Sequence, residues 1–137
     1  MEHTMLIGMP VYEGVDLLDV TGPYEMFGWA DLEVRLFAEA PGLVASRSGL
    51  SIQVTAGFET APAFDVLWVP GGDPNALARL MGDPRRVYLD FLVKQSAHAR
   101  YVSSVCEGAL LLAAAGLLDH PRALAAVARA PFRFEVR

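Results

Sequence analysis

Continuous apolar runs alternate with helical patterns along this chain. Met5–Tyr12 (MLIGMPVY) is apolar throughout, as a strand covered on both faces is, and a helical pattern follows it through Tyr24–Trp29. Leu32–Ala38 (LEVRLFA) alternates like a strand. Leu50–Ala56 (LSIQVTA) reads as another, in a hairpin or at an edge, because Gly42 and Gly49 punctuate its approach. Phe64–Pro70 (FDVLWVP) is short and apolar, the pattern of a central parallel strand. Helical stretches near Ala76–Met81 and Pro84–Ala97 follow, then a strand at Ala99–Val105 and a helix over Glu107–Leu118. Strands alternating with helices predict an α/β fold with a mostly parallel sheet. In such sheets ligands sit beyond the carboxyl ends of the strands. Three polar, glycine-containing junctions fall at those ends, EGVDLLDVTGP, PGGDPN and SVCEGA, and they are expected to meet in one crevice.

Composition narrows the partners. A chain of 137 residues with 53% hydrophobic and 20% charged residues is expected to form one domain with a large core. A net charge of −5 without a Lys/Arg cluster points away from nucleic acid and from anionic membrane surfaces. The apolar stretch from Ala109 runs about ten residues, where a membrane span needs about 20. The amino terminus lacks the basic and long apolar regions of a signal peptide. A lone cysteine suits a reducing compartment, so the expected location is cytoplasmic.

That cysteine, Cys106, sits in Ser104–Val105–Cys106–Glu107–Gly108, the small-x-nucleophile-x-Gly form of a nucleophile elbow. A helix N-terminus after it would favour thiolate. The competing reading is an inert buried thiol. Gly71 and Gly72 of PGGD suit an oxyanion hole, or simply a tight turn before a helix capped by Asp73. Among the acids of the first junction, Glu13 and Asp16 read as solvated surface charges. Asp19 follows two leucines, where burial would raise its pKa and let it donate a proton. Thr21 and Pro23 look like helix-start residues, which leaves capping as a second role for Asp19. His3 is terminal and His98 reads as exposed. His120 lies fourteen residues past Cys106, roughly 20 Å along a helix, too far to serve as its base. No cluster has metal-ligand spacing and no phosphate-binding Gly-Lys loop is present.

Together LLDVTGPYEMF (17–27), DVLWVPGG (65–72) and SSVCEGALLLAAAGLLD (103–119) resemble the ThiJ/PfpI superfamily of class I glutamine-amidotransferase-like proteins, within it the isonitrile hydratase branch. The resemblance covers about residues 5–122. It implies a flavodoxin-like three-layer sandwich, a homodimer, a small-molecule substrate and neither a metal nor an organic cofactor. It also implies roles: Cys106 as elbow nucleophile, Asp19 as the acid facing it, and N–H groups among Gly71, Gly72 and Glu107 as the oxyanion and substrate-binding set. The implied reaction is that of a hydro-lyase, converting an isonitrile to an N-substituted formamide through a cysteine thioimidate. Glyoxalase- or deglycase-like carbonyl chemistry, a non-catalytic sensor or dimerisation module, and an inactive truncated relative are the alternatives. Two departures stand out. Glu107 occupies a position where hydratases often carry threonine, and the chain diverges from its relatives after about residue 122, as a domain shortened at its carboxyl end would.

Overall fold

A computed structural model describes residues 4–119 and 123–124. The elements run β1 (Leu6–Pro10), α1 (Leu17–Trp29), β2 (Glu33–Phe37), β3 (Gly42–Ala45), β4 (Ser51–Val54), β5 (Val66–Val69), α2 (Pro74–Gly82), α3 (Val87–Ser96), β6 (Tyr101–Ser104), α4 (Gly108–Ala114) and β7 (Ala123–Leu124). Five strands form one sheet in the order β2-β1-β5-β6-β7, and every pairing in it is parallel. β3 and β4 form a separate antiparallel pair, so of the two placements open for Leu50–Ala56 the hairpin is the one adopted. β5 lies centrally, with Ile7 opposite Val66 on one side and Val69 opposite Ser104 on the other.

The helical crossovers run in opposite directions across the sheet, from β1 to β2 through α1 and from β5 to β6 through α2 and α3, with α4 following β6. Right-handed connections therefore place α1 on one face and α2, α3 and α4 on the other. Contacts agree, since α2, α3 and α4 touch one another while α1 touches β2. Beneath the second helical face, Phe58 stacks on Phe91 at 4.0 Å and Phe37 lies 4.9 Å from Phe64. Gly8 of β1 has no room for a side chain, because a Cβ there would run into the Phe64 ring.

Two helix boundaries differ from expectation. α1 begins at Leu17 with Asp16 at the N-cap, so Thr21 and Pro23 lie inside the helix rather than at its start. An internal proline removes the N–H that would bond the carbonyl four residues back, a loss of about 3 kcal/mol. That carbonyl belongs to Asp19, and it accepts a hydrogen bond from Trp68 Nε1 at 3.1 Å instead. β5 thus supplies the donor that the helix lacks. α4 ends at Ala114, short of the expected Leu118: Gly116, at φ 77°, terminates the turn and Leu117 N–H bonds back to Leu112. Among the described residues no helix is long and apolar enough to cross a membrane.

Candidate active site

The sheet order reverses between β1 and β5, which is where a doubly wound sheet opens a crevice. All three polar junctions converge there. The β1–α1 loop is tied to the β5–α2 loop by Asp16 N–H donating to the Gly71 carbonyl at 2.8 Å, and by Asp73 N–H donating to the Gly14 carbonyl at 2.9 Å. Tyr12 adds a buried phenol whose Oη donates to the Pro70 carbonyl at 2.8 Å. Sequence reasoning passed over Tyr12, since one tyrosine at a strand end gives no signal until its partner loop is in place.

At the third junction, Cys106 has φ 51°, in the left-handed region that costs a non-glycine residue roughly 1 kcal/mol or more. Gly108 is what permits the turn, because a Cβ on it would collide with the Val69 carbonyl of the neighbouring strand. The turn is thereby packed directly on β5, and it presents the half-buried Cys106 Sγ 3.5 Å from Asp19 Oδ1.

Asp19 is only 9% exposed, and its other oxygen, Oδ2, accepts the Gly71 N–H at 3.0 Å. Burial holds its carboxyl above the ordinary aspartate range, against the lowering effect of that N–H and of the thiol. The Gly71 N–H is therefore engaged with Asp19 and is not free for an oxyanion, in contrast to the expectation for it. The Gly72 and Glu107 N–H groups donate to no protein acceptor among the described residues. Glu107 N lies 2.9 Å from the point where a Cβ on Gly71 would sit, so glycine keeps this wall open.

Electrostatics overturn one expectation. The thiol is not pulled toward thiolate; burial first, then the Asp19 carboxylate, push it up to about 12, with Glu107 and Asp16 adding to the effect. α4 has only seven residues, so the dipole behind the thiol is short, and burial and the nearby acids act against it. Asp16 is not a plain surface charge either. Burial and a hydrogen bond shared with the Glu107 side chain raise it to about 6, while Arg47, 3.7 Å away, opposes the rise. Glu13 and His98 are exposed as expected, although Glu13 Oε2 also accepts the Ala45 N–H at 2.8 Å. His3 and His120 lie outside the described residues. Donor atoms of Asp19, Cys106 and Glu107 lie within 4.8 Å of one another, and these three residues are where a metal ion would find ligands. They make an incomplete set for zinc while the thiol keeps its proton.

A separate cavity of about 360 Å³, lined by Val44, Phe58 and Tyr88 among others, carries no cysteine, serine or histidine on its walls.

The DJ-1/PfpI family model matches residues 5–128. The chain belongs to the DJ-1/PfpI family. It is 43% identical to the isonitrile hydratase of Pseudomonas putida over 118 residues, which are 85% of this chain and 50% of that protein. It is 36% identical over 119 residues to an uncharacterized protein in the cpoL 5' region of Streptomyces lividans, covering 82% of this chain and 81% of that one. The crystal structure of a ThiJ/PfpI family protein from Pseudomonas syringae superposes with a TM-score of 0.75 at 38% identity, covering 85% of this chain and 48% of that chain. This DJ-1/PfpI chain thus spans about half the length of the hydratase and of the crystallised relative.

Proposed function

We propose that this protein hydrates isonitriles, R–N≡C + H2O → R–NH–CHO, with Cys106 as nucleophile and Asp19 as acid and base. The observation that carries the reading is the 3.5 Å contact between Cys106 Sγ and Asp19 Oδ1 at a left-handed elbow. The two groups hold one proton between them. Moving it from sulfur to oxygen produces a thiolate facing a carboxylic acid, the pair that an isonitrile carbon requires, because that carbon must accept both a nucleophile and a proton.

The C–S bond forms as the Asp19 proton passes to the same carbon, giving the thioimidate R–N=CH–S. Water then adds to that carbon, its proton moving through Asp19 to nitrogen. Collapse of the resulting R–NH–CH(OH)–S breaks the C–S bond, returns the hydroxyl proton to Asp19 and releases the formamide. The Gly72 and Glu107 N–H groups, which donate to no protein acceptor among the described residues, would be the donors for developing negative charge. Identity to a hydratase, and a site built from the chain's own residues, support this reading.

Purified protein incubated with cyclohexyl isocyanide should yield N-cyclohexylformamide, detected by mass spectrometry, and Cys106→Ala should yield none. A folded wild type that forms no formamide overturns the proposal. Consumption of methylglyoxal by that same preparation would assign the thiol to carbonyl chemistry instead.

A further inference from the structure

One peptide unit behind the site is gripped at both ends. The Pro70 carbonyl and the Gly71 N–H belong to a single planar amide. Its oxygen accepts the Tyr12 phenol at 2.8 Å, and its N–H donates to Asp19 Oδ2 at 3.0 Å. Asp19 presents its other oxygen to Cys106 Sγ, 3.5 Å away. The contacts from β1 to the sulfur therefore run phenol, amide, carboxylate, thiol.

The two glycines of the turn have separate jobs in this chain of contacts. A Cβ on Gly72 would fall 2.7 Å from a Tyr12 ring carbon and 2.8 Å from the phenol oxygen, so Gly72 makes room for the phenol. Gly71 leaves the amide before it free to turn over. A turned amide would face the Asp19 carboxylate with a carbonyl in place of an N–H, and the Tyr12 bond holds against that. Burial first, then Asp16, Asp19 and Glu107, push the phenol well above the ordinary tyrosine range, so it remains a donor. A donor on the carbonyl also polarises the amide and strengthens its N–H.

We infer that Tyr12 is a positioning residue: acting through the Pro70–Gly71 amide, it aims the Asp19 carboxylate at Cys106. The catalytic consequence rests on the hydratase reading; the hold on Asp19 does not.

Tyr88 supplies a matched control. Its ring meets Tyr12 edge-on at 5.2 Å, both residues are buried, and its phenol donates to another prolyl carbonyl, that of Pro10, at 2.7 Å. The N–H of that second amide, on Val11, goes to the Phe37 carbonyl in the sheet and not to the site. The other groups acting on Asp19 are the Cys106 thiol and Glu107 of the β6–α4 turn and Asp16 at the start of its own helix, and Tyr→Phe at either position leaves all three in place.

The side-chain carboxyl of Asp19 can be titrated by 13C NMR, its resonance identified by its loss in Asp19→Asn. In Tyr12→Phe, Asp19 should bind its proton at least about threefold more tightly, because the N–H that favours the carboxylate is weakened. Tyr88→Phe should leave that titration unchanged. 3-Fluorotyrosine placed at 12, a stronger phenol donor of nearly the same shape, should move it the opposite way. In the hydration assay Tyr12→Phe should lower kcat about tenfold with KM within about twofold, as misaiming a group behind the substrate does, and Tyr88→Phe should change neither. An Asp19 titration that Tyr12→Phe leaves in place, or that Tyr88→Phe shifts equally, overturns the inference. Should Tyr12→Phe fail to fold, a fluorotyrosine protein with an unmoved Asp19 overturns it as well. The expected shifts without turnover of any isonitrile would remove the hydratase reading and support the hold of Tyr12 on Asp19. Turnover by wild type with Asp19 indifferent to Tyr12 would do the reverse.

Discussion

Two strand-to-helix turns stand side by side at the carboxyl end of the sheet, joined by the pairing of Val69 with Ser104. They solve the same geometric problem differently. After β5 the chain turns on two glycines and offers its backbone, with Gly71 receiving Asp16 through its carbonyl and holding Asp19 through its N–H. After β6 it turns on a cysteine forced to φ 51° and offers a side chain. The first turn is a bracket that positions acids; the second holds the sulfur against one of them. Because Gly108 rests on the Val69 carbonyl, the cysteine turn is packed directly on the bracket.

Replacing the cysteine separates chemistry from strain. Cys106→Ala should lower formamide production by at least about a thousandfold. Cys106→Gly should be equally inactive yet unfold at higher denaturant than Cys106→Ala, by about 1 kcal/mol, since glycine tolerates a positive φ. Equal stabilities would mean that the elbow is not strained.

The contact between the turns can be broken from either side. Gly108→Ala drives a methyl group into backbone and should cost about 3 kcal/mol, read from the shift of the urea midpoint. Gly71→Ala meets the movable Glu107 side chain first and should cost less. A reversed order would show that the β5 turn, not the β6 turn, bears the tighter packing.

Asp19→Asn sharpens the division of labour. Hydration should drop by about a hundredfold or more. Alkylation of Cys106 by iodoacetamide at pH 8 should nevertheless become faster, because a carboxylate that holds the thiol protonated has gone. A slower thiol in this variant would contradict the electrostatic account of the site.

The smallest effect concerns pH. Asp16 titrates at about 6 in the fold against an ordinary 3.8, so the folded chain keeps a proton that the unfolded chain releases. Its contribution to stability is complete below the unfolded value and is lost as pH rises through about 6. Asp16→Asn should therefore melt above wild type at pH 8, and the gap should close near pH 4. Differential scanning calorimetry across that range would detect it.

Much of the bracket and the elbow was legible in the sequence, because each is a local signature: apolar runs for β1, β5 and β6, paired glycines after one, a small-x-Cys-x-Gly turn after another. What escaped reading depends on partners far along the chain. Pro23 looked like a helix start because its missing N–H is normally tolerated only there, and nothing local announces that Trp68 will serve the orphaned carbonyl. Asp16 looked solvated, but the fold buries it beside Glu107, and the upward shift of Cys106 arises from burial first and then from Asp19, with the neighbouring Glu107 and Asp16 adding to it. Helix-terminus reasoning alone pointed the thiol the other way, since it counted the near dipole and neither the burial nor the acids.

The hydrogen bond from Trp68 to the Asp19 carbonyl has an evolutionary consequence. Proline at 23 leaves the Asp19 carbonyl without its helical donor, and the indole at 68 relieves that loss. The dependence runs one way, because a carbonyl has two lone pairs and could accept the indole beside a helical N–H. A homologue that keeps proline at 23 is expected to keep a side-chain donor at 68. One that keeps the proline but loses that donor should show its aspartate displaced from the sulfur.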